Sequence, residues 1–185
     1  MSWHTIFDRF GKILFTATVG AVLLSEVLVN GSGRFYALLL SGSVGFIATT
    51  LLNYILKALI RKERAHGKWK PGGKILDPLA RYSRPSYHTQ LAFTMALIAG
   101  WFSIRIHWIL PAILGLMTVA TAYSRYALKA HDPGDIALGA FIGIVVAVPV
   151  CLYLVDINSK TAALVSLALT VLLFLWVPHR DFSGK

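Results

Sequence analysis

The chain has 185 residues, of which 56% are apolar in the broad sense and 14% are charged, about half the charged share of a soluble domain. Mean hydropathy is +0.66, yet Lys and Arg outnumber Asp and Glu by 18 to 8, for a net charge of +10. These figures exclude a soluble globular domain, a disordered chain and a disulfide scaffold, and leave one question: where so apolar a chain gathers its charges.

A helix crossing a bilayer core about 30 Å thick needs about 20 mostly apolar residues. Trp3 to Arg9 reads as a short amphipathic lead-in at the interface. It is not a cleavable signal peptide, because Glu26 interrupts the later apolar run and no small-residue cleavage site follows. The first span is expected from about Ile13 to Val29. A short Gly-rich turn, Asn30 to Arg34, leads to a second span from about Phe35 to Ile60. A long basic connection, Arg61 to Ser86, is broken by Pro71-Gly72-Gly73 and Pro78. The third span covers about Tyr87 to Ile104 and the fourth about Trp108 to Tyr123. A polar connection, Ser124 to Gly134, precedes a fifth span from about Asp135 to Val155, and the sixth covers about Thr161 to Val177. The pattern predicts one all-α domain over residues 1–185, an integral membrane protein with six transmembrane helices.

Residues inside the spans have structural readings. The single Cys151 cannot form an internal disulfide and reads as a small core residue. Glu26 and Asn53 are expected to pack or hydrogen-bond between helices, and Gly139, Ala140 and Gly143 to permit close helix approach. With six spans, both termini and the two longer connections share one face. That face holds fifteen of the eighteen basic residues, leaving Arg34, Arg105 and Lys160 on the other. The positive-inside rule would place the rich face in the cytoplasm, provided its charges have no other job.

Three stretches on the basic face can carry chemistry. Lys57 and Arg64, in K-x6-R spacing, leave the second span; Pro85-Ser86-Tyr87-His88 enters the third; Ser124-Arg125-x5-His131-x3-Asp135 enters the fifth. Lys57, Arg64 and Arg125 can surround a phosphate, arginine by planar forks and lysine as a point charge. Ser86, Ser124 and the N–H groups of helix starts suit its oxygens. Asp132-Pro133 look like an N-cap and a first-turn proline. Asp135 would then lie in the first turn, able to orient one imidazole nitrogen of His131 and leave the other free to attack. His88, on another helix, could protonate a leaving oxygen. Each residue alone also has a plain reading: Lys57 as a snorkelling anchor, Ser86 as a helix cap, Arg64 as a solvated loop charge.

Together the three stretches resemble the signature of the type 2 phosphatidic acid phosphatase superfamily: K-x6-R-P, P-S-G-H and S-R-x5-H-x3-D. Two positions depart from it, Ala65 in place of Pro and Tyr87 in place of Gly. The resemblance implies a phosphohistidine formed on His131, orientation by Asp135, leaving-group protonation by His88, and phosphate binding by Lys57, Arg64, Ser86, Tyr87, Ser124 and Arg125. It also implies that no metal or other cofactor is needed. The partners it implies are the bilayer and a phosphorylated lipid, with no nucleic acid. Within the superfamily the small size and short loops resemble bacterial envelope enzymes acting on lipid A, phosphatidylglycerophosphate or undecaprenyl diphosphate, at the periplasmic face of the inner membrane. The basic rim, including Lys62, Lys68, Lys70, Lys74 and Arg81, and Tyr87 favour the lipid A 1-phosphatase type; the same rim reads equally as a surface for anionic head groups.

Overall fold

A computed structural model describes residues 3–63, 79, 81–157 and 159–176, with side chains from Thr18 onward except those of Leu23 and Trp176. Arg64, the rim lysines Lys68, Lys70 and Lys74, and the breakers Pro71 and Pro78 lie outside the described residues, as do the side chains of the Trp3 to Arg9 lead-in. Regular structure among the described residues is helical: α1 (Trp3–Ile60), α2 (Tyr87–Ser103), α3 (Ile109–Ala127), α4 (Pro133–Tyr153) and α5 (Lys160–Trp176).

α1 is two helices joined at a point. Its one non-helical residue is Gly31, at φ 75° and ψ −177°, a region of backbone space essentially reserved for glycine. The expected five-residue turn is therefore compressed to one residue. A straight helix would hold Val19 and Gly42 roughly 35 Å apart. Instead both line one cavity with Leu38 and Leu39, so the halves run antiparallel. Beside the turn, fully buried Glu26 accepts a hydrogen bond from Asn30 Nδ2 at 2.9 Å and pairs with Arg34 at 3.4 Å. That stitches the two halves together, in keeping with the structural reading of Glu26.

α2 packs against α1, α3 and α4, and small residues admit it. A β-carbon on Gly139 would lie 2.7 Å from Ser86 O, and one on Gly143 2.5 Å from Gln90 O. Both obstacles are backbone, so α4 approaches α2 where side chains are missing. Polar side chains join α2 to α1. Asn53 Nδ2 donates to Gln90 Oε1 at 2.7 Å, Gln90 Nε2 donates to Thr49 O at 3.1 Å, and the Thr49 and Thr94 hydroxyls pair at 2.8 Å. All four residues are fully buried, where leaving such groups unpaired would cost about 1–3 kcal/mol each. Toward the other end of the bundle the core is apolar, built on Ile98, Phe102, Leu114, Ala147 and Cys151.

Helix ends differ from the hydropathy reading. α1 begins at Trp3 rather than near Ile13, and Ser124 and Arg125 belong to the last turns of α3 rather than to a connection. α4 starts two residues early, at Pro133. Hydropathy marks where apolar side chains stop; backbone hydrogen bonding continues past that point. Among the described residues two stretches are long and apolar enough to cross a membrane, Pro133–Tyr153 and Leu24–Ile60, the second counted across the Gly31 turn. α2 and α5 have 17 residues each and α3 has 19, at or under the length of about 20 that a full span needs.

Candidate functional site

Four helix ends meet at one end of the bundle: the C-terminal ends of α1 and α3 and the N-terminal ends of α2 and α4. Backbone hydrogen bonds tie them. Ser86 N donates to Asp135 O at 3.0 Å, His131 N donates to Arg125 O at 3.3 Å, and Ser83 N donates to Lys62 O at 2.8 Å. Segments separated widely in sequence are thereby held in register.

The turn from α3 to α4 sets the imidazole. The chain leaves α3 through Lys129, at φ 53°, and enters α4 through Asp132, whose carboxylate accepts from Asp135 N at 2.8 Å. Pro133 follows in the first turn. This is the expected N-cap, and it places His131 just outside the helix with Asp135 one turn ahead. His131 Nδ1 lies 3.7 Å from Asp135 Oδ2, with both side chains buried. That is ion-pair reach, longer than a hydrogen bond. With Nδ1 on the carboxylate side, Nε2 is the ring nitrogen turned away from Asp135.

The other expected residues surround this pair. Lys57 is the basic residue of the last turn of α1 and is buried, its Nζ 5.4 Å from the centre of the Tyr54 ring. Arg125 occupies the last turn of α3 and is buried with Ser124, whose hydroxyl donates to Thr121 O at 2.8 Å. Ser86 is the N-cap residue of α2 but makes no side-chain cap bond; its hydroxyl pairs with Thr89 Oγ1 at 3.0 Å. Tyr87 turns toward α1, its hydroxyl 3.1 Å from Thr50 Oγ1 and its ring 6.3 Å from that of Tyr54. What Tyr87 keeps at the helix start is its backbone N–H. His88 is half-buried in the first turn of α2, edge-on to Tyr87. Lys57, Ser86, Tyr87, His88, Ser124, Arg125, His131 and Asp135 thus share one end of the bundle.

Two cations that motif spacing did not single out grip the carboxylates. Asp135 Oδ1 accepts from Lys62 Nζ and from Arg84 Nε, each at 2.9 Å. Lys62 also bonds Asp132 Oδ2, and Arg84 reaches Asp132 Oδ1 at 3.4 Å. The Arg84 guanidinium lies close over Gly134, 2.5 Å from where a β-carbon would stand. The Lys62 hydrogen bond holds the Asp132 carboxyl below the usual carboxylate range. Partial desolvation works against the Lys62 charge, but its hydrogen bonds to Asp132 and Asp135 outweigh it and raise its pKa. From the sequence Lys62 reads as part of the rim, and Arg84 forms an R-P pair with Pro85 but has Asp77, not Lys, seven residues before it, so motif spacing favours Lys57 and Arg64 instead.

A buried imidazole beside a carboxylate, with cationic side chains arriving from α1, α3 and the segment before α2, suits attack on a phosphorus centre whose oxygens need charge stabilisation. Among the described residues no three His, Cys, Asp or Glu side chains are grouped to hold a metal ion. A family-wide sequence profile, that of the PAP2 superfamily, matches residues 13–180. No curated protein and no solved structure matches the chain.

Proposed function

The chain belongs to the PAP2 superfamily, a family of phosphatases, and from that premise we propose that it is an integral membrane lipid phosphatase acting through a phosphohistidine. The observation that carries the reading is the buried His131–Asp135 pair, Nδ1 to Oδ2 at 3.7 Å, set at the end of the bundle where the basic side chains converge. His131 Nε2 attacks phosphorus in line as the bond to the ester oxygen breaks, and Asp135 stabilises the imidazolium. His88 gives its proton to the leaving oxygen. It then takes one from the water that displaces His131 and releases phosphate. Lys57, Arg64 and Arg125 offset charge on the equatorial oxygens, with Ser86, Ser124 and the Tyr87 N–H beside them.

The membrane reading takes the two halves of α1 and the helices α2 to α5 as six spans. Large apolar side chains exposed around the bundle support it, among them Leu28, Leu59, Leu116 and Leu172 at 57–75% exposure. An aqueous surface rarely carries so many. The substrate is a phosphorylated lipid whose head meets the basic end, in the manner of a lipid A 1-phosphatase, with phosphatidylglycerophosphate and undecaprenyl diphosphate as the alternatives. The protein would sit in a bacterial inner membrane with this end in the periplasm.

Purified protein in detergent, without added metal, is expected to release phosphate from a panel of these three lipids and to be blocked by vanadate. His131→Ala should abolish release. Equal release by wild type and His131→Ala would sink the mechanism, and no release by either would leave an anionic-lipid-binding scaffold. Orientation is read from labelling of Arg81→Cys in a Cys151→Ala background by a membrane-impermeant thiol reagent.

A further inference from the structure

A cavity of about 670 Å³ lies between α2 and α3, lined by Phe93, Leu97 and Trp101 on one side and Gly115 and Val119 on the other. Its rim is open to the outside of the bundle: Leu97, Trp101, Ile104 and Val119 are 40–62% exposed. A β-carbon at Gly115 would meet nothing within 4 Å, so the groove is unfilled at its middle. One end is charged. Arg105 lines both this cavity and an adjoining polar pocket that it shares with Asn30, Arg34 and Asp156. Arg34 is paired with Glu26, whereas Arg105 is exposed and makes no hydrogen bond or ion pair among the described residues.

We infer that this cavity binds an anionic phospholipid of the leaflet opposite the phosphatase end, with its phosphate at Arg105 and an acyl chain along the α2–α3 groove. The inference rests on the membrane reading and not on the chemistry at His131. Direction follows from the charge. Arg105 follows the C-terminal end of α2 and His88 lies in its first turn, roughly 25 Å apart along the axis. A tail descending from the phosphatase end would bring its hydrocarbon terminus against the Arg105 guanidinium, which shares its pocket with Asp156 but forms no ion pair with it. A lipid seated from the other side puts its phosphate on that cation and its chain against apolar walls. Trp101 and Trp108, 44% and 69% exposed, flank Arg105 in sequence at the level where aromatic side chains anchor to head groups.

The test is native mass spectrometry of the full chain in mild detergent, with dioleoylphosphatidylglycerol and dioleoylphosphatidylcholine as probes. Wild type is expected to retain the anionic lipid in preference to the zwitterionic one. Arg105→Gln should reduce that preference about fivefold, and Gly115→Phe should reduce retention of both lipids. Equal retention of the two probes by wild type, or an unchanged preference in Arg105→Gln, overturns the inference. So does a Gly115→Phe protein that keeps its lipid but shows a raised KM for long-chain and not short-chain phosphate esters, since the groove would then hold substrate tails. If Gly115→Phe does not fold, Arg105→Gln decides alone. Absence of phosphate release by wild type bears on the phosphatase reading and leaves these retention ratios intact.

Discussion

Arg84 Nε donates to Asp135 Oδ1 at 2.9 Å, on the carboxylate oxygen opposite the one that faces His131. The guanidinium therefore acts on the imidazole only through Asp135. It fixes the orientation of the carboxylate that faces the imidazole. Arg84→Ala is expected to lower kcat roughly tenfold with a smaller change in KM, and Arg84→Lys to restore part of the loss. Steady-state phosphate release in detergent checks this; an unchanged kcat in Arg84→Ala would remove Arg84 from the positioning of the pair.

The Lys62–Asp132 pair predicts a pH dependence of stability. The Asp132 carboxyl is held low by the Lys62 hydrogen bond. Its contribution is thus present above the ordinary carboxylate pKa and disappears as pH falls through the lowered folded-state value. Asp132→Asn keeps a good N-cap and removes the charge. It should lower Tm modestly at pH 7, since both groups are partly exposed and screened. The gap from wild type should narrow on going below pH 3.8, the ordinary carboxyl value. A gap that is constant with pH would assign the effect to the cap alone.

Two glycines make a matched comparison. At Gly139 an added β-carbon would lie 2.7 Å from Ser86 O, while at Gly115 it would meet nothing within 4 Å. Gly139→Ala must displace α2 or α4, at about 1–3 kcal/mol, against about 1 kcal/mol gained from helix propensity. Because the contact is to Ser86, activity should fall with stability. Gly115→Ala gains the propensity without a clash. Thermal unfolding and phosphate release on both variants separate the two cases; equal Tm values would mean that α2 adjusts freely.

Gly31→Ala tests the α1 turn. At φ 75° and ψ −177° a side chain is strained by about 1–3 kcal/mol, and straightening would pull Arg34 from Glu26. A fall in Tm is expected, with little change in the kcat of the surviving folded protein, because the turn lies at the end of the bundle away from His131. A Tm equal to wild type would show that the hairpin tolerates another backbone conformation.

The sequence exposed which residues meet at this end of the bundle more fully than how they pack. Asp132-Pro133 announced a helix start, so the geometry of His131 and Asp135 followed from local rules. The placement of Ser124 and Arg125 did not, because hydropathy falls at Tyr123 while the helix runs on to Ala127. Arg84 and Lys62 were hidden for a different reason. Their partners, Asp132 and Asp135, are distant in the chain, and the pairing exists only because Ser83 N meets Lys62 O and Ser86 N meets Asp135 O. The Asn53–Gln90–Thr49 ladder was half visible: Asn53 stood out within an apolar run, while its acceptor on α2 depends on tertiary register.

The convergence of four helix ends has an electrostatic consequence. α2 and α4 point their N-termini, the positive ends of their macrodipoles, at the site. α1 and α3 point negative ends at the same place, and each carries a cation in its last turn, Lys57 and Arg125. A basic side chain there opposes a partial charge of about −0.5. The start of α2 therefore favours an anion through its backbone, and the ends of α1 and α3 through a side chain that reverses the backbone's sign. The start of α4 differs: its dipole is met by the Asp132 and Asp135 carboxylates, whose charge Lys62 and Arg84 offset, so a phosphate is drawn toward the other three ends.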